Sequence, residues 1–243
     1  TVEEFLPGSA HVVSARELAA TRGLHCQPAE APVVAEQRAG HLSPAMLRSA
    51  VLSWLREHVV DVRVADVREV TATADVVLWD GTAARFDSVV VAAGAWTPAL
   101  AADGHGLRTK RIQYAVYPGT VPGLGAFVDE NSGLYGCVYD EKSLLLGRST
   151  DEWDVSPSRV IVDPELAAGV GVAAAALFLL ASAALVPTRM CTAADCYVVS
   201  GGLRLRPVPS TEQVFTFTGG SGGAAKTVLA ASRQAADRLL DDQ

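Results

Sequence analysis

Three stretches of the chain, near its two ends, are predicted to form helices. Ser14 and Glu17 form a capping box that opens a short helix. A second helix begins at Ser43-Pro44 and carries apolar residues on one side: Met46, Leu47, Ala50, Val51, Trp54 and Leu55. The last helix runs from about Ala224 to Leu240. We therefore expect helices towards both ends of the chain.

Between these helices, short runs rich in β-branched residues predict strands separated by turns. Strands are expected at Val62–Val64, Val67–Thr71, Val76–Trp79, Ile112–Tyr117, Leu134–Tyr139, Leu144–Gly147 and Val214–Thr218. Asp80-Gly81 is a strong signal for a hairpin turn. Residues 21–40 are predicted to form a loop.

One further strand differs from the others because it has no polar position. The run from Val89 to Ala92 is uniformly apolar, which is typical of a strand buried on both faces of a parallel sheet. It ends in the turn Ala93-Gly94-Ala95-Trp96. The short strands of residues 107–162 are broken by Gly and Pro, which indicates a second, mixed or antiparallel sheet.

The longest predicted helix, residues 164–186, carries no charge after Glu165. Its length is about that of a membrane span, which is the alternative interpretation. Its start is that of a helix in a soluble protein, since Asp163 supplies a cap and Pro164 the first helical position. We therefore expect a buried helix and no membrane partner. The loose G-x-G-x-x-A pattern at Gly169–Ala174 lies inside this helix, so it predicts helix packing rather than a dinucleotide site.

Composition argues against several classes of partner. Twenty Lys and Arg against 27 Asp and Glu give a net charge of −7, and no basic block offsets it, so nucleic acid is not an expected partner. The four cysteines form no C-x-x-C pair, and the five histidines lack metal-ligand spacing. We expect no metal site and a reducing, cytoplasmic environment.

The strongest local signal for chemistry is a strand followed by Gly219-Gly220-Ser221-Gly222-Gly223 and then a helix. Glycines let the backbone approach a ligand, and the free N–H groups at a helix start attract an anion. Lys226 lies in the first turn, where the helix dipole disfavours a cation, so we expect an anionic group nearby. A glycine-rich turn with a surface lysine is the alternative.

The same segment falls one residue short of a phosphate-binding P-loop. The spacing from Gly220 to Lys226-Thr227 fits, but Ala225 stands where that loop needs its second glycine. Only about 17 residues follow Lys226, which leaves no room for the later strand that brings a magnesium-binding acid. A nucleoside triphosphatase is therefore not expected.

Taken in order, these segments resemble the FAD-dependent D-amino-acid oxidase superfamily, particularly its glycine oxidase, monomeric sarcosine oxidase and fructosyl amino-acid oxidase branch. Val89–Thr97 resembles the strand-to-turn signature whose backbone lies near the dinucleotide in that family. Thr218–Lys226 resembles the C-terminal flavin loop, usually T/A-G-x-S-G-H-G-F-K. Gly40–Pro44 and the helix after it resemble the segment that precedes the signature. The resemblance spans nearly the whole chain.

The resemblance implies FAD as the cofactor and an amine or amino acid as the substrate, whose C–N bond is oxidised to an imine. It implies cofactor contacts at Ala93, Gly94, Trp96, Cys191, Gly219, Gly220, Ser221, Gly222 and Lys226. Lys226 and Tyr135 are the expected catalytic residues: Lys226 would stabilise negative charge on the reduced flavin, and Tyr135 would face the substrate. Cys191 resembles the site of covalent flavin attachment.

Each of these roles has a structural alternative. Tyr135 is otherwise a half-buried strand tyrosine, Cys191 an ordinary buried cysteine, and Trp96 a packing residue. Asp195 corresponds to a polar residue that the family places before its last strands, or it is a turn residue.

Three departures from the family pattern bear on function. The β-α-β start with G-x-G-x-x-G is not in the sequence, so we expect a truncated chain, a fragment or one half of a split protein. Gly223 replaces the histidine of the flavin loop. Leu145 stands where the branch has a lysine that helps oxygen react with reduced flavin.

The sequence therefore predicts a mixed α/β fold, with part of a parallel FAD-binding sheet and a mixed antiparallel substrate-domain sheet covered by helices. Residues 1–106 and 189–243 would belong to the FAD-binding domain, and residues 107–188 to the substrate domain. The expected function is an FAD-dependent amine or amino-acid oxidoreductase, which a separate chain supplying the N-terminal FAD-binding segment would complete. The alternative is a non-catalytic or accessory chain that does not bind FAD alone.

Overall fold

The computed structural model describes residues 7–101, 106–180, 185–199 and 202–241. These residues form a mixed α/β fold, as predicted. Its helices are α1 (Ala15–Arg22), α2 (Pro44–Glu57), α3 (Thr97–Leu100), α4 (Pro164–Leu177) and α5 (Ala224–Asp241). Its strands are β1 (Ala10–Ser14), β2 (Pro32–Glu36), β3 (Val67–Val70), β4 (Asp75–Leu78), β5 (Ala83–Arg85), β6 (Val89–Val91), β7 (Arg108–Pro118), β8 (Phe127–Asp129), β9 (Leu134–Asp140), β10 (Ser143–Arg148), β11 (Arg189–Tyr197), β12 (Arg204–Pro207) and β13 (Val214–Thr218).

The chain divides into two compact units, and each is built from three segments. Unit 1 consists of Thr1–His41, Ile112–Thr150 and Ile161–Ala193. Unit 2 consists of Leu42–Arg111, Asp151–Val160 and Ala194–Gln243.

Unit 1 is a sheet with the strand order β11-β7-β10-β9-β8 and helix α4 on one face. Strands β7, β10, β9 and β8 pair antiparallel, and the side chains of β10 alternate between the two faces. Leu144 and Leu146 are buried against α4, whereas Leu145 is half-buried on the opposite face. The Tyr117 hydroxyl donates a 2.6 Å hydrogen bond to the Ala167 carbonyl of α4, and burial raises the pKa of Tyr117 to about 12. This contact fixes the helix on the sheet.

Unit 2 contains two three-stranded sheets, with the orders β12-β13-β6 and β3-β4-β5. Strands β13 and β6 are parallel, and their register pairs Phe215 with Val90. Strands β12 and β13 are antiparallel, as are the strands of the second sheet. The parallel pair is the part of the fold that positions the candidate site.

The predicted helix starts are confirmed by their caps. The Ser14–Glu17 capping box is formed, with the Ser14 N–H donating to the Glu17 carboxylate at 2.7 Å. The Met46 N–H donates to the Ser43 hydroxyl at 3.4 Å, and the Leu166 N–H donates to Asp163 at 3.0 Å. Short polar side chains thus satisfy N–H groups that a helix start leaves without partners.

Two strand predictions are wrong. Residues 21–40 contain β2, which pairs antiparallel with β1 through residues 10–14. Val62–Val64 forms no strand, and Arg63 within it pairs with Asp61 instead. A strand needs a partner as well as propensity. The first segment has such a partner, and the described residues offer none to the second.

Two elements that the sequence predicts to be buried also differ from expectation. The helix predicted at 164–186 ends at Leu177 because Leu179 adopts a left-handed backbone (φ 53°) and the Leu180 N–H bonds back to Ala175. The end predicted for it includes residues 181–184, which lie outside the described part. In β6, Val90 is 40% exposed, so this strand is not buried on both faces. None of the described helices has the length and apolar character needed to cross a membrane.

Candidate flavin site

A cavity of about 420 Å³ lies in unit 2 beyond the carboxyl ends of the parallel strands β6 and β13. We call it the loop cavity. It is lined by Ala92, Gly94, Ala95, Ala194, Asp195, Cys196, Leu203, Phe217, Thr218, Gly219, Gly220, Ser221, Ala224, Val228 and Ser232. In open α/β sheets, ligands bind at this end of the parallel strands. The topology therefore makes the loop cavity the candidate site.

The turn after β6 and the glycine loop after β13 meet at this cavity. The Thr218 hydroxyl donates a 3.5 Å hydrogen bond to the Gly94 carbonyl, which joins the two segments directly. Gly94 (φ 54°) and Gly219 (φ 88°) both adopt left-handed backbone conformations that favour glycine. The two glycine turns that the sequence singled out are thus adjacent in space.

Ser221 begins the approach to helix α5 in a conformation that is unusual for its residue type. Its φ of 56° is left-handed although it has a side chain. Its hydroxyl accepts a 3.4 Å hydrogen bond from the Gly223 N–H. Strained backbone of this kind concentrates at ligand sites. Helix α5 begins at Ala224, so the positive end of its dipole lies in the same region.

A buried arginine supports the glycine loop. Arg206 of β12 is 3% exposed, and its guanidinium donates to the carbonyls of Thr218 (3.0 Å) and Gly202 (2.5 Å). It therefore fixes the end of β13 just before the loop. The sequence alone does not single out Arg206, because nothing in the strand Arg204-Leu205-Arg206 indicates which arginine is buried.

Asp195 is the one carboxyl group among the residues that line the loop cavity. It lies in strand β11 rather than in a turn, and burial raises the pKa of its carboxyl. Its Oδ2 atom is buried and forms no hydrogen bond with any described residue. A Cβ atom added at Gly222 would lie 3.0 Å from this oxygen, so the absence of a side chain there leaves room for the carboxyl.

The strand that carries Asp195 is also tied to the glycine loop. Tyr197 forms an antiparallel bridge with Gly220. Burial, and then the charge of Asp195, raise the pKa of the Tyr197 hydroxyl. The acid is therefore held beside the loop by its own strand.

The remaining predicted cofactor residues of unit 2 lie outside the loop cavity. Ala93 and Trp96 line a different cavity, of about 910 Å³, beside β3. Gly222 is exposed on the surface of the loop, facing Asp195. Lys226 is exposed in the first turn of α5 and is not among the residues lining either cavity.

In unit 1, the predicted substrate-side residues share the sheet face opposite α4. Tyr135 pairs with Gly147 across β9 and β10, and Leu145 lies two residues before Gly147 on the same face. Tyr114 pairs with Gly147 from the other side, and its side chain interacts with that of Cys191. Tyr135, Leu145 and Cys191 thus belong to one surface of the sheet.

Gly147 makes room for the Tyr135 ring, whose hydroxyl donates to the Gln113 carbonyl at 3.2 Å. An added Cβ at Gly147 would lie 2.5 Å from the Tyr135 Cζ atom and 2.6 Å from its oxygen.

We expect Gly147→Ala to lower the free energy of unfolding in urea by about 1–3 kcal/mol, because the rigid ring must move. Adding Tyr135→Ala should make Gly147→Ala nearly neutral. Gly125→Ala, which meets open space, is the control. An equal cost of Gly147→Ala with and without the ring would contradict this packing.

Comparison with known proteins identifies the family. The sequence profile of a family described as FAD dependent oxidoreductase matches residues 3–238. The chain belongs to this FAD-dependent oxidoreductase family. The cofactor predicted from the sequence, FAD, is therefore the cofactor of its family. A search of curated protein sequences gives no significant match.

Solved structures with the same fold include several oxidases. A modified fructosyl peptide oxidase from Aspergillus nidulans superposes with a TM-score of 0.80 at 17% identity, covering 97% of this chain and 64% of that protein. Iminodiacetate oxidase from Chelativorans sp. BNC1 gives 0.71 at 16% identity, with 96% and 64% coverage. Glycine oxidase from Bacillus cereus ATCC 14579 gives 0.78 at 13% identity, with 100% and 69% coverage. The chain thus spans about two thirds of the length of these proteins, and at these identities the likeness establishes the fold.

The loop cavity fits the ring of a flavin. Its volume lies within the range of about 300–1,000 Å³ that is usual for small-molecule sites. Its walls are mostly apolar, as a planar aromatic ring requires, and Asp195 provides a buried polar atom without a partner among the described residues. Gly94, Gly219, Gly220 and Ser221 provide backbone that a ligand can approach closely.

Proposed function

We propose that this chain provides the substrate side and part of the flavin site of an FAD-dependent oxidoreductase that oxidises the C–N bond of an amino acid or secondary amine to an imine. The observation that carries the proposal is the loop cavity, at the carboxyl ends of β6 and β13, in a chain of this family. The names of the three structural neighbours also support it, because fructosyl peptides, iminodiacetate and glycine are all amines or amino acids.

FAD, when bound, would supply the acceptor for the hydride of the C–H group next to the substrate nitrogen. The chain's own groups would stabilise the negative charge of the reduced ring and would position the substrate. The backbone N–H groups of Gly219–Gly223 and the Lys226 ammonium would stabilise negative charge at the edge of the ring. Tyr135 would orient the substrate, and Cys191 would offer a thiol for covalent attachment. Residues 1–106 and 189–243 would serve the cofactor, and residues 107–188 the substrate.

The exposed edge of β6 supports completion of the site by another polypeptide segment. Among the described residues, β6 pairs only with β13, although strands of a parallel sheet are normally covered. Val90 on this strand is 40% exposed. Helix α2 is apolar on one side and yet buries no residue. We propose that a separate chain adds a parallel strand here, followed by the glycine-rich turn that binds the dinucleotide pyrophosphate.

Flavin capture tests this proposal. The purified chain should bind added FAD measurably but weakly, and dialysis should remove the flavin, because part of the affinity for the dinucleotide would come from the added segment. The visible spectrum before and after dialysis is the measurement. Stoichiometric flavin that resists dialysis would contradict the need for a partner, unless it also survives denaturation and is therefore covalent. Failure to bind FAD at any concentration would contradict the flavin site itself.

A non-catalytic accessory role is the second candidate, and one observation favours it. Leu145 is half-buried on the face that carries Tyr135, at the position where the family branch has a lysine. A chain that binds substrate but turns nothing over would fit this replacement. Anaerobic mixing of the flavin-loaded chain with glycine or sarcosine distinguishes the two, since bleaching of the flavin absorbance requires catalysis.

A further inference from the structure

We propose that Asp195 is the hydrogen-bond acceptor that holds the ring N–H of a flavin in the loop cavity. This inference rests on the proposed flavin site and assigns to it a residue that determines affinity. It arises from one feature of the cavity, the buried Asp195 Oδ2 atom that has no hydrogen-bond partner among the described residues.

The Asp195 carboxyl has unmet hydrogen-bonding capacity. Its Oδ2 atom is buried and accepts nothing from the described residues. A buried polar atom without a partner costs free energy comparable to a lost hydrogen bond, and an ionised carboxylate costs more. Native structures rarely retain such groups without a function or an unseen partner. A donor that enters the cavity would remove this cost.

The chemistry of the cavity wall selects the kind of donor. The wall combines the backbone of Gly219, Gly220 and Ser221, and Ala224 at the start of α5, with one carboxyl acceptor, Asp195. The pyrimidine edge of a flavin ring alternates in the complementary way, with an N–H between two carbonyl groups. The loop amides would hold the carbonyls and Asp195 would hold the N–H between them. An anion such as a free phosphate would use the loop amides equally well but would be repelled by Asp195.

The acceptor role requires the ionised carboxylate, which fixes the sign of a pH effect. Burial raises the pKa of Asp195 in the protein without ligand, and a hydrogen bond from the ring N–H would lower it again. Affinity should therefore be weak at acidic pH, rise as pH rises through the pKa of the ligand-free acid, and then level off.

Among the described residues that line the loop cavity, Asp195 is the one charged group. Next to it on its own strand lie the Cys196 thiol and the Tyr197 hydroxyl, and burial raises the pKa of that hydroxyl. Arg206 lies behind the end of β13, and a guanidinium does not lose its proton in proteins. The lining residues from the β6 turn, the glycine loop and α5 carry no charge, and Lys226 lies outside the lining. Asp195 is therefore the group whose titration the binding would report.

Two flavins that differ only at the ring N–H test the inference. Lumiflavin carries this group, and 3-methyl-lumiflavin has a methyl in its place. The dissociation constant of each is measured by fluorescence quenching from about pH 4, near the ordinary pKa of an Asp carboxyl, to about pH 8. The proteins are the wild type, Asp195→Asn and, as a matched control, Asp237→Asn, which removes an exposed carboxylate from α5.

We expect the wild type and Asp237→Asn to bind lumiflavin about tenfold or more tightly at the upper pH than at the lower, as for a hydrogen bond to a charged group. Asp195→Asn should bind it weakly and without pH dependence, and methylation should produce the same loss in the wild type.

Equal affinity for both flavins at all pH values would overturn the role of Asp195 and leave the flavin site standing. If no flavin binds to any variant, the proposed function fails too. Because the methylated probe acts on the wild type, the test survives misfolding of Asp195→Asn.

Discussion

Replacement of Gly171 by alanine is expected to destabilise unit 1 by about 3 kcal/mol, the upper part of the range for overpacked cores. Gly171 is buried in α4, and the space next to its Cα is filled by the backbone of Leu185. An added Cβ would overlap the Leu185 carbonyl oxygen. The Leu185 N–H also donates to the Gly171 carbonyl at 3.3 Å, so the two backbones are held together. Backbone atoms cannot swing aside as a side chain can, and the whole segment must move.

The same helix provides a matched control. Gly169 lies two residues earlier, is exposed, and meets no atom within 4 Å of an added Cβ. Gly169→Ala should therefore stabilise the protein by about 0.5–1 kcal/mol, because alanine favours the helix and restricts the unfolded chain. Urea unfolding followed by circular dichroism measures both variants. If both substitutions stabilise, the segment at Leu185 does not pack against α4.

The local parts of the fold could be predicted because their causes are local. Ser43 and Asp163 cap helices through contacts that span three residues. The Asp80-Gly81 turn joins β4 and β5, with Gly81 at a φ of 89°. The run Leu144-Leu145-Leu146 predicts a strand but not which of its faces is buried, and the structure shows that Leu144 and Leu146 are buried.

The predictions that were wrong concern features that depend on residues distant in sequence. Strand β2 exists because β1 pairs with it, and no property of residues 32–36 alone distinguishes it from a loop. Helix α4 ends at Leu177, shortly before Leu179, which adopts a left-handed backbone although no glycine there predicts the end of a helix. Val90 is exposed because β6 has one neighbour among the described strands, which a uniformly apolar run does not reveal.

In the candidate site, too, the parts set by local sequence could be predicted and the parts set by tertiary packing could not. The Gly219–Gly223 loop and the turn at Gly94 could be found from glycine spacing and from the family resemblance, and they lie together at the loop cavity. Arg206 could not be placed there, since it is one of several arginines in the sequence and burial arises from tertiary packing. The family resemblance names Asp195 as a candidate, but only the structure shows that it lines the loop cavity.

Lys226 presents a conflict between stability and function. It occupies the first turn of α5, where the helix dipole disfavours a cation, and it is exposed, so packing does not offset this. Unfavourable local electrostatics are typical of groups kept for another purpose. Under the proposed function, that purpose is to stabilise the negative charge that reduction places on the flavin ring.

We therefore expect Lys226→Met to separate the two properties. The variant should be as stable as the wild type or slightly more stable, since it removes a charge that the dipole disfavours. At saturating FAD, with any partner segment that the site proves to need, it should slow anaerobic reduction by substrate about 10²–10³-fold, the usual loss for one preorganised charge or donor. The midpoint potential of the bound flavin should fall in parallel.

Arg233→Met removes an exposed cation farther along the same helix and should change neither the reduction rate nor the potential. Stopped-flow reduction and a redox titration provide the measurements. Equal rates for Lys226→Met and Arg233→Met would show that Lys226 is an ordinary surface lysine, because a charge that acts on the flavin must affect its reduction.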